Sequence, residues 1–434
     1  MVPDSRHARG PRRGLVRAGA WRPVRPERTR FHPERPAHAG RFRPRLEAPG
    51  LVARARHGRG RLFRPFTAET LPGRRRRPAR AQAHRTEDPG REPRRRLRLS
   101  RRTPSRLPPA ACRRRGQLQR DFRSMLRLGS AYVGKDARVV AQDHEHDDFV
   151  NLSRLCDDLG ALESLDDLLD LPDDAVATCI SRAREAAPDL AAGDVALHCP
   201  LVRPGRVRDG GIVIEHLTPA FEQMRDRLLA MGTEKAADAA NALDAQIATI
   251  NERPFTTGDR DLSTLSGPFD EIINPGGEID LETELACVIR RADGGQPEIF
   301  GYTLYNDWTL RDMQIEVWRE TRSLYGGAKN FAMSNTFGPM VVLASDCGDP
   351  MRLAMQAEVN GEIVASGDLS GAVRTFPEAL EHLFRGDEIT SHELFGTGTI
   401  LGGCLFEQGR RLPKDATVLL SCPAIGVLEN RVRG

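Results

Sequence analysis

Regular alternation of apolar and polar residues begins at Met125, in "MLRLGSAYVGKDARVVAQ", and no hydrophobic period of 2 or 3.6 can be traced before it. A chain offsets its conformational entropy by burying apolar surface, and only patterned segments can do that. The fold is therefore expected in the 310 residues that start at Met125.

Charge divides at the same place. Residues 1–124 hold 37 arginines, no lysine and 9 acidic residues, a balance of +28, while the remainder carries −23. "GRRRRPAR" and "REPRRRLRLSRR" typify the first part. Such a stretch reads as a disordered arm that binds nucleic acid through phosphate charge, or as an organelle transit peptide, which would be shorter and amphipathic. A third reading is translation from a start placed too far upstream. Arg, Pro, Ala and Gly have GC-rich codons, and 37 arginines without a lysine are odd for a selected basic tail. This reading accounts best for the segment and makes Met125 the expected start. The acidic remainder argues against a groove-binding globular domain and disfavours a nucleic-acid partner.

The eight cysteines form no CxxC pair and no regular spacing, so neither a disulfide framework nor a zinc site is expected. That agrees with a reducing cytoplasm. No apolar run reaches the length of a membrane span.

Residues 151–171 and 172–187 show helical spacing with acidic faces, and Pro172 is placed to start the second helix. Residues 125–198 are expected as a small N-terminal α/β domain, and 199–434 as the catalytic domain. Helical periodicity returns at 217–231 and 234–250, again in "TLRDMQIEVWRETRSLY" and briefly in "PEALEHLF". Strands dominate from about residue 270. "MQAEVNGEIVASG" is a hairpin with Asn360-Gly361 as its type I′ turn. The class is α+β with a largely antiparallel sheet.

One strand-like run, "DLETELACVI" at 280–289, poses an electrostatic problem. Alternate strand residues share a face, so Glu282 and Glu284 lie side by side. Like charges that close destabilise a sheet unless something neutralises them. Further on, "YNDWTLRDMQ" places Asp307 before a helix, with Arg311 and Gln314 following on one side of it. "RVRDGGIVIEHL" offers Asp209 and His216, and the glycine-rich "SHELFGTGTILGGCLFE" contains Thr399 and Glu407. Each has a structural explanation when taken alone. The glutamates could pair with Arg290 and Arg291. Asp307 could cap a helix, Arg311 could pair with Asp312 or Glu316, Lys329 could be a solvated loop lysine, and His216 could be a satisfied structural residue. Taken together, four carboxylates without a Cys or His cluster suit a hard cation, Mg²⁺, Mn²⁺ or Ca²⁺, rather than Zn²⁺.

The segments "IDLETEL", "GYTLYNDWTLRDMQ", "GAKNF", "FGPMVV", "AEVNGEIV", "GTGTILGGCLFE" and "IGVLENRV" occur in an order that resembles the fumarylacetoacetate hydrolase family. The resemblance spans roughly 200–434 and implies a β-roll catalytic domain, a divalent cation, usually Mg²⁺, and a homodimer. It implies metal ligands at Glu282, Glu284 and Asp307, with Asp209 matching a further aspartate of the fumarylacetoacetase branch. His216 matches that branch's catalytic histidine and Glu407 the glutamate that orients it. Arg311, Gln314 and Lys329 match residues that hold substrate oxygens and developing charge, Thr399 a turn threonine, and Arg225 a contact to a substrate carboxylate. The implied activity is hydrolysis of a carbon–carbon bond in a β-diketo acid by His/Glu-activated water. Decarboxylation, isomerisation or dehydration of a 2-keto acid or deoxy sugar acid is the alternative. This chain departs from that branch at Gly210 and Gly211, where aromatic residues usually stand, and the two glycines are expected to open room in the pocket.

Overall fold

The computed structural model describes residues 125–143, 146–253, 255–385, 389 and 391–434. All of these fall in one compact unit, residues 99–434. The expectations about the arginine-rich arm and the Met125 start concern residues 1–124 and lie outside the described residues.

The strands of the first half are β1 (Arg127–Val133), β2 (Asp136–Gln142), β3 (Val150–Asn151), β4 (Val195–Leu197), β5 (Arg206–Gly210), β6 (Thr257–Asp259), β7 (Leu265–Ser266), β8 (Glu271–Ile273) and β9 (Ile279–Asp280). Those of the second half are β10 (Thr283–Arg291), β11 (Pro297–Asp307), β12 (Thr309–Leu310), β13 (Asn335–Leu343), β14 (Met355–Val359), β15 (Glu362–Gly367), β16 (Glu393–Gly396), β17 (Thr417–Cys422) and β18 (Gly426–Arg433). The larger sheet runs β3-β2-β1-β13-β11-β10-β16-β5-β6, with β4 beside β1 and β7 beside β13. It is antiparallel except where β16 meets β5 and β13 meets β7. A second sheet runs β15-β14-β17-β18-β8, and β9 pairs with β12. The expected hairpin joins β14 to β15. Asn360 and Gly361 take φ of 51° and 85°, the left-handed pair that a type I′ turn requires.

The central strand β10 is buried on both faces from Thr283 to Arg290. Leu285, Cys287 and Ile289 face a core shared with Ala357, Val418 and Leu428 of the second sheet. Ala286 and Val288 face another core with Leu128, Leu165 and Val341. Glu282 and Glu284 continue the second of these faces by the two-residue period.

Residues 125–198, expected as a separate small domain, contribute edge strands and helices to this same sheet and core. β1 pairs with β13 through Arg127↔Val342 and Leu128↔Val341. Leu152, Leu168, Val176 and Cys179 pack in one cluster with Tyr305, Phe337 and Leu394. The helix read across 151–171 resolves into Leu152–Leu155 and Leu165–Leu169. Gly160 between them, at φ 132°, turns the chain where a helix cannot continue.

The longer helices are α1 (Asp173–Glu185), α2 (Leu217–Ala230), α3 (Glu234–Ala248), α4 (Arg311–Thr321) and α5 (Phe376–Leu383). Pro172 precedes α1 as expected. Asp307 does not cap α4; Leu310 stands at that position. Alanines 236, 239 and 240 let α3 approach α2 closely, and Phe221, Met224, Ile315 and Trp318 fill the space between α2, α3 and α4. Each such large side chain contributes about 1.5–3 kcal/mol on burial. The Trp318 indole also donates to the Ala239 carbonyl at 3.0 Å. This helical layer walls the site described next. No helix among the described residues is long and apolar enough to cross a membrane.

Candidate functional site

Sheet order assembles the site. β11, β10, β16 and β5 are consecutive neighbours. Thr283 opposes Asn306 and Glu284 opposes Tyr305, so Glu282 lies beside Asp307, whose amide donates to the Glu282 carbonyl at 3.3 Å. On the other flank Gly396 of β16 opposes Asp209 of β5. Four strands therefore deliver Asp209, Glu284 and Asp307 to one end of the sheet. Gly396 is needed there, because a Cβ at that position would stand 2.7 Å from the Tyr305 ring and 2.8 Å from Glu284 Oε2.

Asp209, Glu284 and Asp307 are buried, and one carboxylate oxygen from each lies within 4.8 Å of the others. Glu284 accepts from the Gly398 amide at 3.0 Å and from Thr399 Oγ1 at 3.4 Å. Arg260 Nη2 donates to Asp209 Oδ2 at 2.8 Å and to Asp307 Oδ2 at 2.7 Å. Asp209 Oδ1 is buried with no partner. Glu282 stands outside the triad. It is held by Lys329 Nζ at 2.7 Å and Arg311 Nη1 at 2.7 Å. Lys329 also donates to Asp307 and to Thr309 Oγ1. Of the four carboxylates expected as ligands, Asp209, Glu284 and Asp307 come together and Glu282 stands apart. Two cations already neutralise Glu282.

Electrostatics agree with this division. Burial, and then Asp209, Asp307 and Glu282, push Glu284 well above the usual carboxylate range. Asp209 is pushed up to about 6, chiefly by burial, with Arg260 opposing and Asp307 adding to the rise. Burial acts on Glu282 too, but Lys329 and Arg311 outweigh it and hold the group below its ordinary value. Lys329 is raised, because Asp307 and Glu282 outweigh the burial that would lower it. Five buried carboxylates, Asp209, Asp280, Glu282, Glu284 and Asp307, face three buried cations, Arg260, Arg311 and Lys329. These carboxylates outnumber these cations, and their mutual repulsion adds to burial in raising Glu284 and Asp209. The donors are all oxygen, and one of them is orphaned. A hard divalent cation fits these residues.

Asp209 and Glu284 of the triad line a cavity of about 70 Å³ together with His216, Glu282, Arg311, Gln314, Lys329 and Thr399. That is far below the roughly 300 Å³ at which drug-sized pockets begin. A larger cleft of about 850 Å³, between Arg227, Glu278 and Arg411, lies away from the carboxylates. The chemistry favours the smaller space. His216, at the start of α2, is buried and its Nδ1 has no partner. Burial lowers its pKa to about 4, so the ring is neutral at ordinary pH.

Three expectations are not met. Glu407 does not orient His216. Its carboxylate accepts from the Gly402 amide at 3.0 Å and the Cys404 amide at 3.2 Å, facing its own turn. Arg225 does not line the cavity. It sits on the outer side of α2, paired with Asp226 at 2.9 Å and Asp244 at 3.2 Å. Gly210 does not open the pocket, since a Cβ there would meet Thr257 at 2.9 Å and Phe395 at 3.1 Å; Gly211 alone has room.

Two residues of the centre were missed. Asp280 accepts from Arg311 Nη2 at 2.8 Å and from the amides of Leu405 and Phe406 at 3.1 and 3.0 Å, which fixes Arg311 and the chain before Glu407. The two-residue period that flagged Glu282 and Glu284 includes it. Arg260 comes from a loop without a period, and only sheet order brings it to Asp209 and Asp307.

A family profile described as "Fumarylacetoacetate (FAA) hydrolase C-terminal" matches residues 232–433. The oxaloacetate tautomerase YisK of Bacillus subtilis (strain 168) is 27% identical over 247 residues, 55% of this chain and 73% of that protein. An uncharacterised protein of Methanocaldococcus jannaschii is 30% identical over 178 residues, 38% of this chain and 67% of that protein. Among solved structures, a fumarylacetoacetate hydrolase from Exiguobacterium antarcticum superposes with a TM-score of 0.51 at 21% identity, over 71% of this chain and 99% of that one. At that identity the likeness is one of fold.

Proposed function

Because the chain belongs to the fumarylacetoacetate hydrolase family, we propose that it holds a divalent cation, Mg²⁺ or Mn²⁺, between Asp209, Glu284 and Asp307 and moves a proton between the keto and enol forms of a small 2-oxo acid. The observation that carries this reading is the neutral His216, its Nδ1 without a partner, in a small cavity lined by Asp209 and Glu284 of the carboxylate triad. The relative named as an oxaloacetate tautomerase supports it.

When bound, the cation supplies polarisation of the substrate's carbonyl, which acidifies the adjacent C3–H. His216 takes the C3 proton on a ring nitrogen and passes it to the enolate oxygen, and in the reverse direction it carries the enol proton back to C3. Its lowered pKa keeps the ring in the base form across the working pH range. Arg311, clamped by Asp280 and Glu282, and Lys329, clamped by Glu282 and Asp307, are fixed positive charges beside the oxygen that becomes negative. Gln314 holds Arg311 Nη1 through its side-chain oxygen at 3.0 Å. The apolar wall from α2 excludes water from the proton's path.

Hydrolytic carbon–carbon cleavage asks more of the site, because the base must then activate a water and be oriented for it. Glu407, the residue expected to do that, is committed to the Gly402 and Cys404 amides, which favours proton transfer over hydrolysis.

The test is exchange of C3 hydrogens in D₂O, followed by NMR, for oxaloacetate and 2-oxobutanoate with Mg²⁺ or Mn²⁺. Exchange should depend on the metal, vanish with chelator and leave the carbon skeleton intact. His216→Ala should slow it roughly 10²–10⁴-fold. Acylpyruvate cleavage faster than C3 exchange would replace this reading with the hydrolytic one.

A further inference from the structure

Arg227 follows His216 by eleven residues, about three turns of α2, so both project from the same side of the helix. Its half-buried guanidinium makes two attachments. It grips Glu278 as a fork, Nη1 to Oε2 and Nη2 to Oε1, both at 2.8 Å. Its carbon also lies over the Phe406 ring, 4.6 Å from the centre.

Both attachments lead to Arg311. The Glu278 carbonyl accepts from the Arg311 amide at 2.8 Å, and the Glu278 amide donates to Asp312 Oδ1 at 3.2 Å, so Glu278 holds the first turn of α4. The Phe406 amide donates at 3.0 Å to Asp280 Oδ2, the oxygen that receives Arg311 Nε and Nη2. The Arg311 guanidinium carbon lies 5.0 Å from the centre of the Phe406 ring. Arg311 and Arg227 therefore meet the same two residues, one from α4 and the other from α2. Elsewhere these helices meet through apolar side chains such as Phe221 and Trp318. Apolar contact holds them together without fixing direction, whereas a guanidinium–carboxylate fork does fix it.

We infer that Arg227 is a positioning residue, which through Glu278 and Phe406 keeps His216 on α2 in register with Arg311 on α4. The inference rests on the proposed function for the roles of His216 and Arg311, and one of its tests needs no turnover.

The experiment follows C3 exchange of oxaloacetate by the full chain with Mg²⁺ in D₂O. Arg227→Met keeps an apolar stem and removes the fork. It should lower kcat by about tenfold or more, with KM and the Mn²⁺ affinity read by calorimetry nearly unchanged. Arg227→Lys, which can keep one charged contact to Glu278, should recover part of the loss. Arg227→Met combined with Glu278→Gln should be no slower than the slower single variant. Arg411 reaches Glu278 Oε2 from the exposed side at 3.2 Å, and Arg411→Ala should turn over as wild type. With chelator at neutral pH, the His216 Cε1–H NMR signal should move in Arg227→Met and stay in place in Arg411→Ala. Unchanged kcat in Arg227→Met, Mn²⁺ affinity that falls with kcat, additive losses in the double variant, or an unmoved His216 signal would overturn the assignment. A wild type that exchanges no C3 hydrogen, beside a His216 signal that moves in Arg227→Met, would remove the proposed reaction and leave the positioning role standing.

Discussion

β5 and β16 run side by side and parallel, and buried charge sits near both ends of the pair. At the starting end Asp166, on the helix Leu165–Leu169, receives the amides of Val202 and Arg203 at 2.7 and 2.9 Å and lies 2.8 Å from His392 Nε2. Burial alone would raise this carboxyl; His392 and the two amides outweigh it and hold the group below its usual range. At the far end lie Asp209 and Glu284, both raised, with an oxygen of Asp209 unpartnered. Two buried acidic groups on one strand pair thus have opposite fates. The satisfied one stitches residues 125–198 to the sheet. The unsatisfied one is the place where the fold leaves room for another charge.

The contrast can be broken most forcefully at Asp307. Asp307→Asn removes the shared acceptor of Arg260 and Lys329 and one member of the triad. Turnover should fall by about 10³-fold or more, and Mn²⁺ binding, followed by calorimetry, should weaken in parallel. Unaltered Mn²⁺ affinity would erase the distinction between the two ends.

Asp166→Ala should do the reverse. Two amides and His392 lose their buried acceptor, a cost of about 4 kcal/mol in unfolding free energy. Urea unfolding reads this loss, while kcat in the folded protein should stay at the wild-type level. A variant that loses metal affinity as Asp307→Asn does would place Asp166 in the functional centre instead.

Smaller, and sharper, is a dependence on pH. His216 titrates near 4 when folded and near about 6.5 when unfolded. Between those values the unfolded chain binds a proton that the folded chain does not, so this residue lowers stability as pH falls from 6.5 towards 4, by up to about 3 kcal/mol. Asp209, raised to about 6, binds its proton earlier in the folded state and raises stability as pH falls through the same region. The two oppose each other in metal-free protein. His216→Asn should remove one side of this balance, so that urea midpoints taken with chelator rise on acidification more than in wild type. Parallel curves for the two proteins would show that His216 is not buried neutral.

Local periodicity made much of this legible. The two-residue alternation of "DLETELACVI" identified the strand and its acidic face, Asn360-Gly361 identified a hairpin, and helical spacing located α2 and α3 to within two residues. Position along the chain says less about direction. Arg225 stands nine residues beyond His216, and at 3.6 residues per turn that is two and a half turns, which sends its side chain to the opposite side of α2. Glu407 was matched by order alone, and its local amides claim it first. Neither Arg260 nor the β1–β13 pairing could be seen from sequence, because both depend on segments far apart in the chain meeting across a sheet.

Gly396 gives the far end of the sheet one more property. The clearance between the Tyr305 ring and Glu284 is smaller than a methyl group. The spacing of the carboxylates is therefore a mechanical tolerance set by bare backbone. A substitution that adds no charge and removes no ligand would still wedge the strands and change how large an ion the acidic end can grip.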